Sequence, residues 1–248
     1  MREERMSTEP KGADFDKLSV IIDIKGNLIN ETPLRIGGAT RNRFESASDS
    51  PIVKIGDIPY IPGSTLKGAL RSLAEVYAKT RGWEVVYPYE ENEKIENKKI
   101  EDCVTCLLFG SKLVSSRIYV FDALLNKDAL PNEKEVRIGI RTMVGINRTF
   151  GAAQPKMIYT LDYVEPYSVF DFKMRIINLN FIKIEEEKEE WKKKGKEVLE
   201  FLISELKQGI MIGSRKSVGY GLVKLQGVKC SVKKLENGKI EVKEVEEC

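Results

Sequence analysis

The segment 60–71 carries residue types that can bind a phosphate group. Two prolines keep its approach extended, and Ser64 is placed to cap a helix through its hydroxyl. Lys67 and Arg71 are four residues apart, so both lie on one face near the helix start. Free backbone N–H groups and two cations would then converge at the positive end of the helix dipole. The sequence predicts a phosphate site here, and an ordinary capped helix with solvated cations is the alternative.

A second candidate phosphate site is the glycine-rich segment 211–222. Glycines such as Gly213 let the backbone approach a ligand closely, and successive N–H groups around Ser214 can form an anion-binding nest. Arg215 and Lys216 add positive charge. The alternative is a glycine-rich turn between a helix and a strand.

The long loop 37–51 is the third candidate. Arg35, Arg41 and Arg43 are suited to contacting phosphates. Near the end of the loop, the carboxylate of Asp49 could hold Mg²⁺ or help to position a ribose hydroxyl for attack. An Asx-turn before the following proline is the alternative, and two other acids lie nearby.

Cys103 and Cys106 have the spacing of half a zinc site. Because the chain contains no histidine, only Cys230, Cys248 or a carboxylate could complete it. The alternative is a pair of reduced cysteines that pack beside the apolar residues following them. The spacing is therefore compatible with zinc binding by this pair but does not establish it.

The absence of histidine also limits the chemistry. It excludes Ser-His-Asp and Cys-His arrangements and histidine acid–base catalysis, so catalysis would need carboxylates, Lys, Tyr, Ser, Cys or a metal ion. The formal net charge is only +3, from 41 basic and 38 acidic residues. A surface that binds nucleic acid must therefore come from local clustering of cations.

The hydrophobic periodicity predicts the elements that would position these residues. In order they are a strand at 18–30, a helix at 65–79, a strand at 117–125, a hairpin with arms at 136–146 and 156–164, a strand at 170–176, a helix at 186–207 and a strand at 218–232. Without insertions this is βαββαβ, the ferredoxin-like pattern of the α+β class. Its four-stranded sheet is widely used for binding single-stranded RNA.

The chain is expected to hold one domain, 18–233, between a charged tail at 1–17 and a charged hairpin or tail at 234–248. The segment 90–101 is almost all Glu, Lys and Asn and is expected to be an exposed insertion. No apolar run approaches the length of a membrane span and no secretory signal is present, so a cytoplasmic location is expected.

Two of these motifs resemble those of a known family. Pro59-Tyr-Ile-Pro-Gly-Ser-Thr-Leu-Lys-Gly-Ala-Leu-Arg71 closely resembles a signature of the RAMP superfamily of CRISPR proteins, and 211–222 resembles its C-terminal glycine-rich loop. The run Cys-x-x-Cys-Leu-Leu-Phe-Gly at 103–110 resembles another segment of the family. The best match is the repeating backbone subunit of type III effector complexes. This resemblance implies a ferredoxin-like, RRM-related core with a thumb hairpin and lid-like insertions.

The resemblance also implies an activity. Asp49-Ser-Pro-Ile52 resembles the family segment that bears the catalytic aspartate, which makes Asp49 the candidate catalyst of metal-dependent RNA cleavage, with Mg²⁺ or Mn²⁺. The hairpin at 136–164 resembles the thumb, in which Arg141 and Arg148 would contact an RNA backbone. The implied partners are CRISPR RNA, target RNA, and other type III subunits or copies of this chain, in antiviral defence.

Three alternatives stay open at this point. The chain could be a non-catalytic RNA-binding backbone paralogue, in which Asp49 has no catalytic role. It could be a RAMP endonuclease that processes CRISPR precursor RNA, although such enzymes often use histidine. It could also be a plain RRM-like RNA binder, for which Tyr119, Phe121 and Tyr220 are the available aromatic residues.

Overall fold

The computed structural model describes residues 15–38, 48–87, 102–126, 138–182, 189–236 and 239–245. The strands are β1 (Val20–Asn30), β2 (Lys54–Ile55), β3 (Ile58–Ile61), β4 (Ile118–Val120), β5 (Ala123–Leu124), β6 (Ile138–Asn147), β7 (Ala152–Val164), β8 (Val169–Ile177), β9 (Ile210–Met211), β10 (Leu222–Glu236) and β11 (Lys239–Val245). The helices are α1 (Gly63–Thr80), α2 (Val104–Phe109) and α3 (Glu190–Gln208), and a 3₁₀ turn spans Lys216–Val218.

The main sheet has the strand order β11-β10-β1-β8-β4, and the short β9 pairs with β10. Every pairing in it is antiparallel. Four of these strands, with α1 after β1 and α3 after β8, give the βαββαβ connectivity. The predicted ferredoxin-like α+β fold is therefore confirmed.

β1 lies in the middle of the sheet because its sequence alternates. Ile22, Ile24 and Leu28 are fully buried on one face, whereas Lys25 and Asn27 are exposed on the other. An alternation of period two is what a strand with one covered face requires. The strand thus separates a core-facing side of the sheet from an open side.

The helices cover the core-facing side. α1 buries Leu66, Leu70 and Ala74 at intervals of four residues, and α3 buries a similar stripe. Trp191 in this stripe is 5% exposed and therefore belongs to the core. The other members of the α3 stripe are Val198, Leu199, Leu202, Ile203 and Leu206.

Several boundaries differ from the sequence predictions. The strand expected at 117–125 is divided into β4 and β5, which pair with different strands, β8 and β3. At the C-terminal end, Lys239–Val245 forms the strand β11 beside β10. Of the two alternatives predicted for this segment, a hairpin or a tail, the structure therefore contains the hairpin. The charged insertion predicted at 90–101 lies outside the described residues. None of the described helices is long and apolar enough to span a membrane.

The open side of the sheet contains a bidentate ion pair between β1 and β8. Arg175 donates from Nε to Asp23 Oδ1 at 2.6 Å and from its terminal nitrogen to Oδ2 at 2.9 Å. Asp23 is 4% exposed, and Lys233 Nζ lies 3.6 Å from Oδ2. The hydrogen bond from Arg175 is the largest cause that lowers the pKa of Asp23 below its ordinary 3.8, and burial opposes the shift.

We expect Asp23→Asn to lower the free energy of unfolding by about 1–3 kcal/mol at neutral pH, since Arg175 loses its charged partner. The folded-state pKa of Asp23 is depressed, so the stabilisation is complete above 3.8 and is lost as the pH falls through the lower folded value. Urea unfolding of both proteins at neutral pH and in strong acid measures this. A stability difference that does not shrink in acid would contradict the assignment.

Candidate functional site

Three of the predicted site segments meet at one edge of the main sheet. The end of β1, the start of β10 and the start of β8 are adjacent there, with Asn30 opposite Val223 and Ile29 opposite Val169. Arg35 follows β1, the glycine-rich segment precedes β10, and the hairpin of β6 and β7 precedes β8. The order of strands in the fold thus brings together residues that are far apart in sequence.

Arg35 links the glycine-rich segment to the Asp49 loop. Its guanidinium donates to Ser214 Oγ at 2.8 Å and to the carbonyl oxygen of Ser50 at 3.4 Å. The N–H of Ser214 donates back to the Arg35 carbonyl at 2.9 Å. Burial, and then the nearby Arg215, lower the pKa of Arg35. Arg35 therefore holds two loops together in addition to supplying charge.

Asp49 is fastened to the hairpin strand β7. Its Oδ2 accepts hydrogen bonds from the N–H of Thr160 at 2.7 Å and from Thr160 Oγ at 3.0 Å. The N–H of Asp49 in turn donates to Thr160 Oγ at 3.1 Å. The residue is exposed, so its carboxylate is fixed in position but remains accessible to a ligand.

The next residues of the loop continue this attachment. Ser50 forms a parallel bridge with Leu161, and the N–H of Asp162 donates to the Ser50 carbonyl at 3.1 Å. Asp162 is buried, and its charge partly opposes the lowering of the Arg35 pKa by burial and by Arg215. Sequence reasoning missed Thr160 and Asp162 as site residues. The sequence pattern that could have identified them is a pair of polar residues on either side of an apolar residue, Leu161, in a predicted strand.

Cations and aromatic rings cluster at the base of the hairpin. The Arg141 guanidinium lies 5.5 Å from the ring centroids of both Tyr163 and Tyr220, whose rings meet edge to face. Arg215 lies over the ring of Tyr159 and contacts its hydroxyl group. Such cation–π contacts orient guanidinium groups without neutralising them. Arg141 and Arg215 are both exposed and therefore remain available to an anionic ligand.

The far end of the hairpin is a short turn. Asn147 Oδ1 accepts from the N–H groups of Thr149 and Phe150 at 2.9 and 3.3 Å. Arg148 is exposed in this turn, away from the cluster at the base, and Phe150 is 81% exposed. Several apolar side chains on the hairpin are also unusually exposed. They are Ile140, Val144, Ile146, Met157 and Ile158.

The start of α1 differs from the prediction. Pro62 and not Ser64 occupies the N-cap position, and no side chain caps the helix from that position. Instead, the N–H of Gly63 donates to Asp122 Oδ1 at 2.7 Å. The prediction that Ser64 caps the helix is therefore wrong, because the helix begins one residue before the serine. A carboxylate of the protein already lies at the helix start, where a phosphate was predicted.

Lys67 and Arg71 are also engaged within the protein. Lys67 Nζ donates to Ser116 Oγ at 2.8 Å, and burial, followed by the charge of Arg71, lowers the pKa of Lys67. Arg71 donates to Glu75 at 2.8 Å and to the Gly110 carbonyl at 3.0 Å. These cations fasten the loop after α2 to α1.

A groove of about 630 Å³ separates α1 from the glycine-rich segment. Gly213 and Lys216 line one side of it, and Thr65 and Gly68 line the side formed by α1. The described lining includes neither of the two α1 cations just described. The two predicted phosphate sites are thus neighbours, but their cations do not converge on this groove.

Two arginines and two cysteines complete the set of predicted site residues. Arg41 and Arg43 lie outside the described residues. Cys103 and Cys106 are buried and joined in a disulfide at the start of α2, so the expectation of reduced thiols is contradicted by this structure. The cause is local, because the first turn of α2 brings the two sulfur atoms together.

Metal ligands are sparse in the described part of the chain. Within the six described ranges, no group of three or more Asp, Glu, Cys or His side chains could hold a metal ion. Mg²⁺ does not need such a group, since it is often bound by one or two carboxylates with water and substrate phosphates. Asp49 offers one such carboxylate, because its side chain is exposed.

Comparison with known proteins agrees with this geometry. A sequence model of the RAMP superfamily matches residues 28–224, which include the end of β1, α1, the hairpin, β8, α3, the glycine-rich segment and the start of β10. The chain belongs to the RAMP superfamily. The match spans the central fold and all three loops of the site, so the superfamily assignment covers the arrangement described above.

Several similar proteins share the name CRISPR system Cms endoribonuclease Csm3. The chain is 28% identical over 242 residues to the protein of Methanocaldococcus jannaschii, covering 90% of this chain and 88% of that protein. It is 33% identical over 156 residues to that of Streptococcus thermophilus, covering 58% and 62%. For Enterococcus italicus the identity is 35% over 112 residues, covering 43% and 47%. The aligned region thus spans less than two thirds of the Streptococcus relative.

The glycine-rich segment gives a stability prediction with a matched control. Gly213 and Gly219 both have positive φ, +76° and +88°. A Cβ at Gly213 would lie 2.4 Å from the Arg35 carbonyl oxygen, whereas a Cβ at Gly219 would meet nothing within 4 Å. We expect Gly219→Ala to cost about 1–2 kcal/mol from conformation alone and Gly213→Ala to cost clearly more. Equal losses in thermal unfolding would contradict the close packing of Gly213 on Arg35.

The α1 cations give a second prediction. Arg71→Met would leave the half-buried Glu75 without its partner, so we expect a loss of about 1–3 kcal/mol in the free energy of unfolding. Lys67→Met removes one hydrogen bond but also a desolvated charge beside Arg71, and we expect a smaller change. Chemical denaturation measures both. Weaker RNA binding without any loss of stability would instead support the phosphate-binding role predicted from the sequence.

Proposed function

We propose that this chain is the repeating backbone subunit of a type III CRISPR ribonucleoprotein that binds CRISPR RNA and cleaves complementary target RNA. One observation carries the proposal. Asp49, the hairpin and the glycine-rich segment are joined through Thr160, Ser50 and Arg35 into one site at the edge of the sheet. Similarity to RAMP proteins named as Csm3 endoribonucleases supports the same function.

The RNA would be held through its backbone. Arg141, Arg148, Arg215 and Lys216 are exposed around the hairpin and the glycine-rich segment, and phosphate contacts of this kind carry no sequence information. The exposed apolar residues of the hairpin would insert between bases, as apolar side chains do in other nucleic-acid complexes. Base pairing with the guide would then supply the sequence specificity.

Cleavage would proceed by in-line attack of a ribose 2′-hydroxyl on the adjacent phosphorus. The new bond joins the 2′-oxygen to phosphorus, the bond to the 5′-oxygen breaks, and that oxygen takes up a proton. Asp49 would orient the hydroxyl or accept its proton, because it is an exposed carboxylate whose position is fixed by Thr160. A bound Mg²⁺ or Mn²⁺ would stabilise charge on the phosphate, held by Asp49 and by oxygens of the RNA and water.

The partners follow from the same proposal. A backbone subunit would assemble in the cytoplasm with copies of itself or with paralogous subunits along the guide RNA. Each copy would place one Asp49 beside the target strand.

A non-catalytic backbone paralogue is the second candidate. The observation that favours it is the attachment of Asp49 to Thr160, because a carboxylate that holds a loop onto a strand has a structural role without any chemistry. The two candidates predict different behaviour when the charge is removed but the hydrogen bond is kept.

The substitution Asp49→Asn distinguishes the catalytic candidate from the non-catalytic one. The amide oxygen can still accept from Thr160, so we expect unchanged folding and RNA affinity. Cleavage at the sites of this subunit should fall by orders of magnitude, measured on labelled target RNA in a complex assembled only from variant copies. EDTA should reproduce the loss in the wild-type complex.

Thr160→Val is the matched control. It removes the hydroxyl contact with Asp49 but keeps the carboxylate and the backbone hydrogen bond, so we expect partial cleavage to remain. Full cleavage by Asp49→Asn, with normal RNA binding, would reject the catalytic role and favour the non-catalytic paralogue.

A further inference from the structure

The open side of the main sheet carries three lysines side by side. Lys25 of β1 pairs in register with Lys229 of β10 and with Lys173 of β8. Their sequence neighbours Ile24, Cys230 and the residues flanking Lys173 are buried, so all three lysines project to the side that the described helices do not cover. Lys25 and Lys229 are exposed and Lys173 is half-buried.

This arrangement is unfavourable for the protein by itself. Like charges directly opposite each other on neighbouring strands destabilise a sheet. None of the three lysines forms a salt bridge with a carboxylate of the described residues. The charge of Lys173 helps to lower the pKa of Asp23, but this carboxylate is not within salt-bridge distance of the row. A row of cations at this spacing is suited to an anionic ligand that runs across the strands.

The row continues into an exposed aromatic ring. Phe121 follows β4, its N–H donates to the Lys173 carbonyl, and Lys173 Nζ lies 4.6 Å from its ring centroid. In the next row, Tyr119 is paired with Arg175. Tyr119 and Phe121 are 43% and 39% exposed. Each row therefore ends in an aromatic ring on the same side of the sheet.

The nearby carboxylates do not neutralise this surface. Asp23 is already bound by Arg175 and lies near Lys233, and Asp171 accepts a hydrogen bond from Asn126 at 2.8 Å. Asp171 is two residues before Lys173 in β8, so it faces the same side but lies outside the lysine row. Glu244 pairs with Ser231 and faces the same side, in the row of Asp23 and Arg175. The lysine row itself contains three cations and no carboxylate, so it is the positive part of the face.

We propose that this face, formed by Lys25, Lys173, Lys229, Tyr119 and Phe121, is a second RNA-binding surface that takes a single strand. The lysines would contact successive phosphates, and the two rings would stack on unpaired bases, the combination that proteins use for single strands. A purely acidic protein partner would satisfy the lysines but would leave the adjacent rings without a role.

This surface is separate from the site at the sheet edge and does not depend on the proposed cleavage activity. The Asp49 loop, the hairpin and the glycine-rich segment lie beyond the end of β1, whereas Lys25 lies in the middle of that strand. The face could therefore hold RNA that lies outside the guide–target duplex, such as a flanking part of the bound strand.

The test measures binding of the full-length protein to an oligouridine of about 16 nucleotides over a range of salt concentrations. We expect the triple substitution Lys25→Gln/Lys173→Gln/Lys229→Gln to weaken binding at least about tenfold at low salt. The slope of log K against log salt should fall by about two units, because each of the three lost phosphate contacts contributes about 0.7. Tyr119→Ala and Phe121→Ala should each weaken binding by about 5- to 150-fold, the range for one stacked base.

The matched control removes three exposed lysines from the other side of the molecule, Lys193, Lys207 and Lys234. It should leave affinity and salt slope close to those of the wild type. The lysine-row substitutions should have the same effect in an Arg141→Ala/Arg215→Ala background, because independent surfaces contribute additively. Because this background already lacks two arginines of the site at the sheet edge, it distinguishes a failure of this proposal from a failure of the function proposed for that site.

A stability measurement gives an independent readout. Because Lys25 lies between two like charges, Lys25→Gln should raise the melting temperature of the RNA-free protein while it weakens RNA binding. The proposal is overturned if the row variant binds oligouridine like the wild type, or if the control variant loses as much affinity. It is equally overturned if the row variant keeps RNA binding and loses only association with protein.

Discussion

The central position of β1 is the constraint on which the other features depend. Because it pairs with β10 on one side and β8 on the other, one strand fixes the register of both neighbours. A shift of one residue would expose Ile22 and Ile24 and bury Lys25, so the burial of one face stabilises a single register. With that register fixed, the loops that connect to the ends of β1, β8 and β10 meet at one edge of the sheet.

At that edge, hydrogen bonds with the backbone do most of the positioning. Arg35 links two loops, and Thr160 holds Asp49 against the hairpin. Neither contact needs a large buried surface, which suits loops that must also accept a ligand. The positive charge of the edge is supplied by arginines that lie over tyrosine rings and keep their charge available.

The molecule places its cations in two different ways. Lys67 and Arg71 are bound within the protein and fasten a loop to α1, so their positive charge serves packing. Lys25 and Lys229 are held opposite each other without a described acidic partner. Since the net charge is only +3, these local arrangements and not the overall composition decide where the surface can attract an anion.

The sequence by itself determined the α+β class, the βαββαβ order and the hairpin, because hydrophobic periodicity and turn residues act locally. It also identified the glycine-rich segment and Asp49 through motif resemblance. It placed the start of α1 at residue 65 instead of Gly63, and it did not reveal that the carboxylate at this start comes from Asp122, 59 positions away. Contacts such as Arg35 with Ser214 and Asp49 with Thr160, and the lysine row across three strands, were decided only by the tertiary structure. The physical reason is that strand order and register fix long-range neighbours, and no local pattern encodes them.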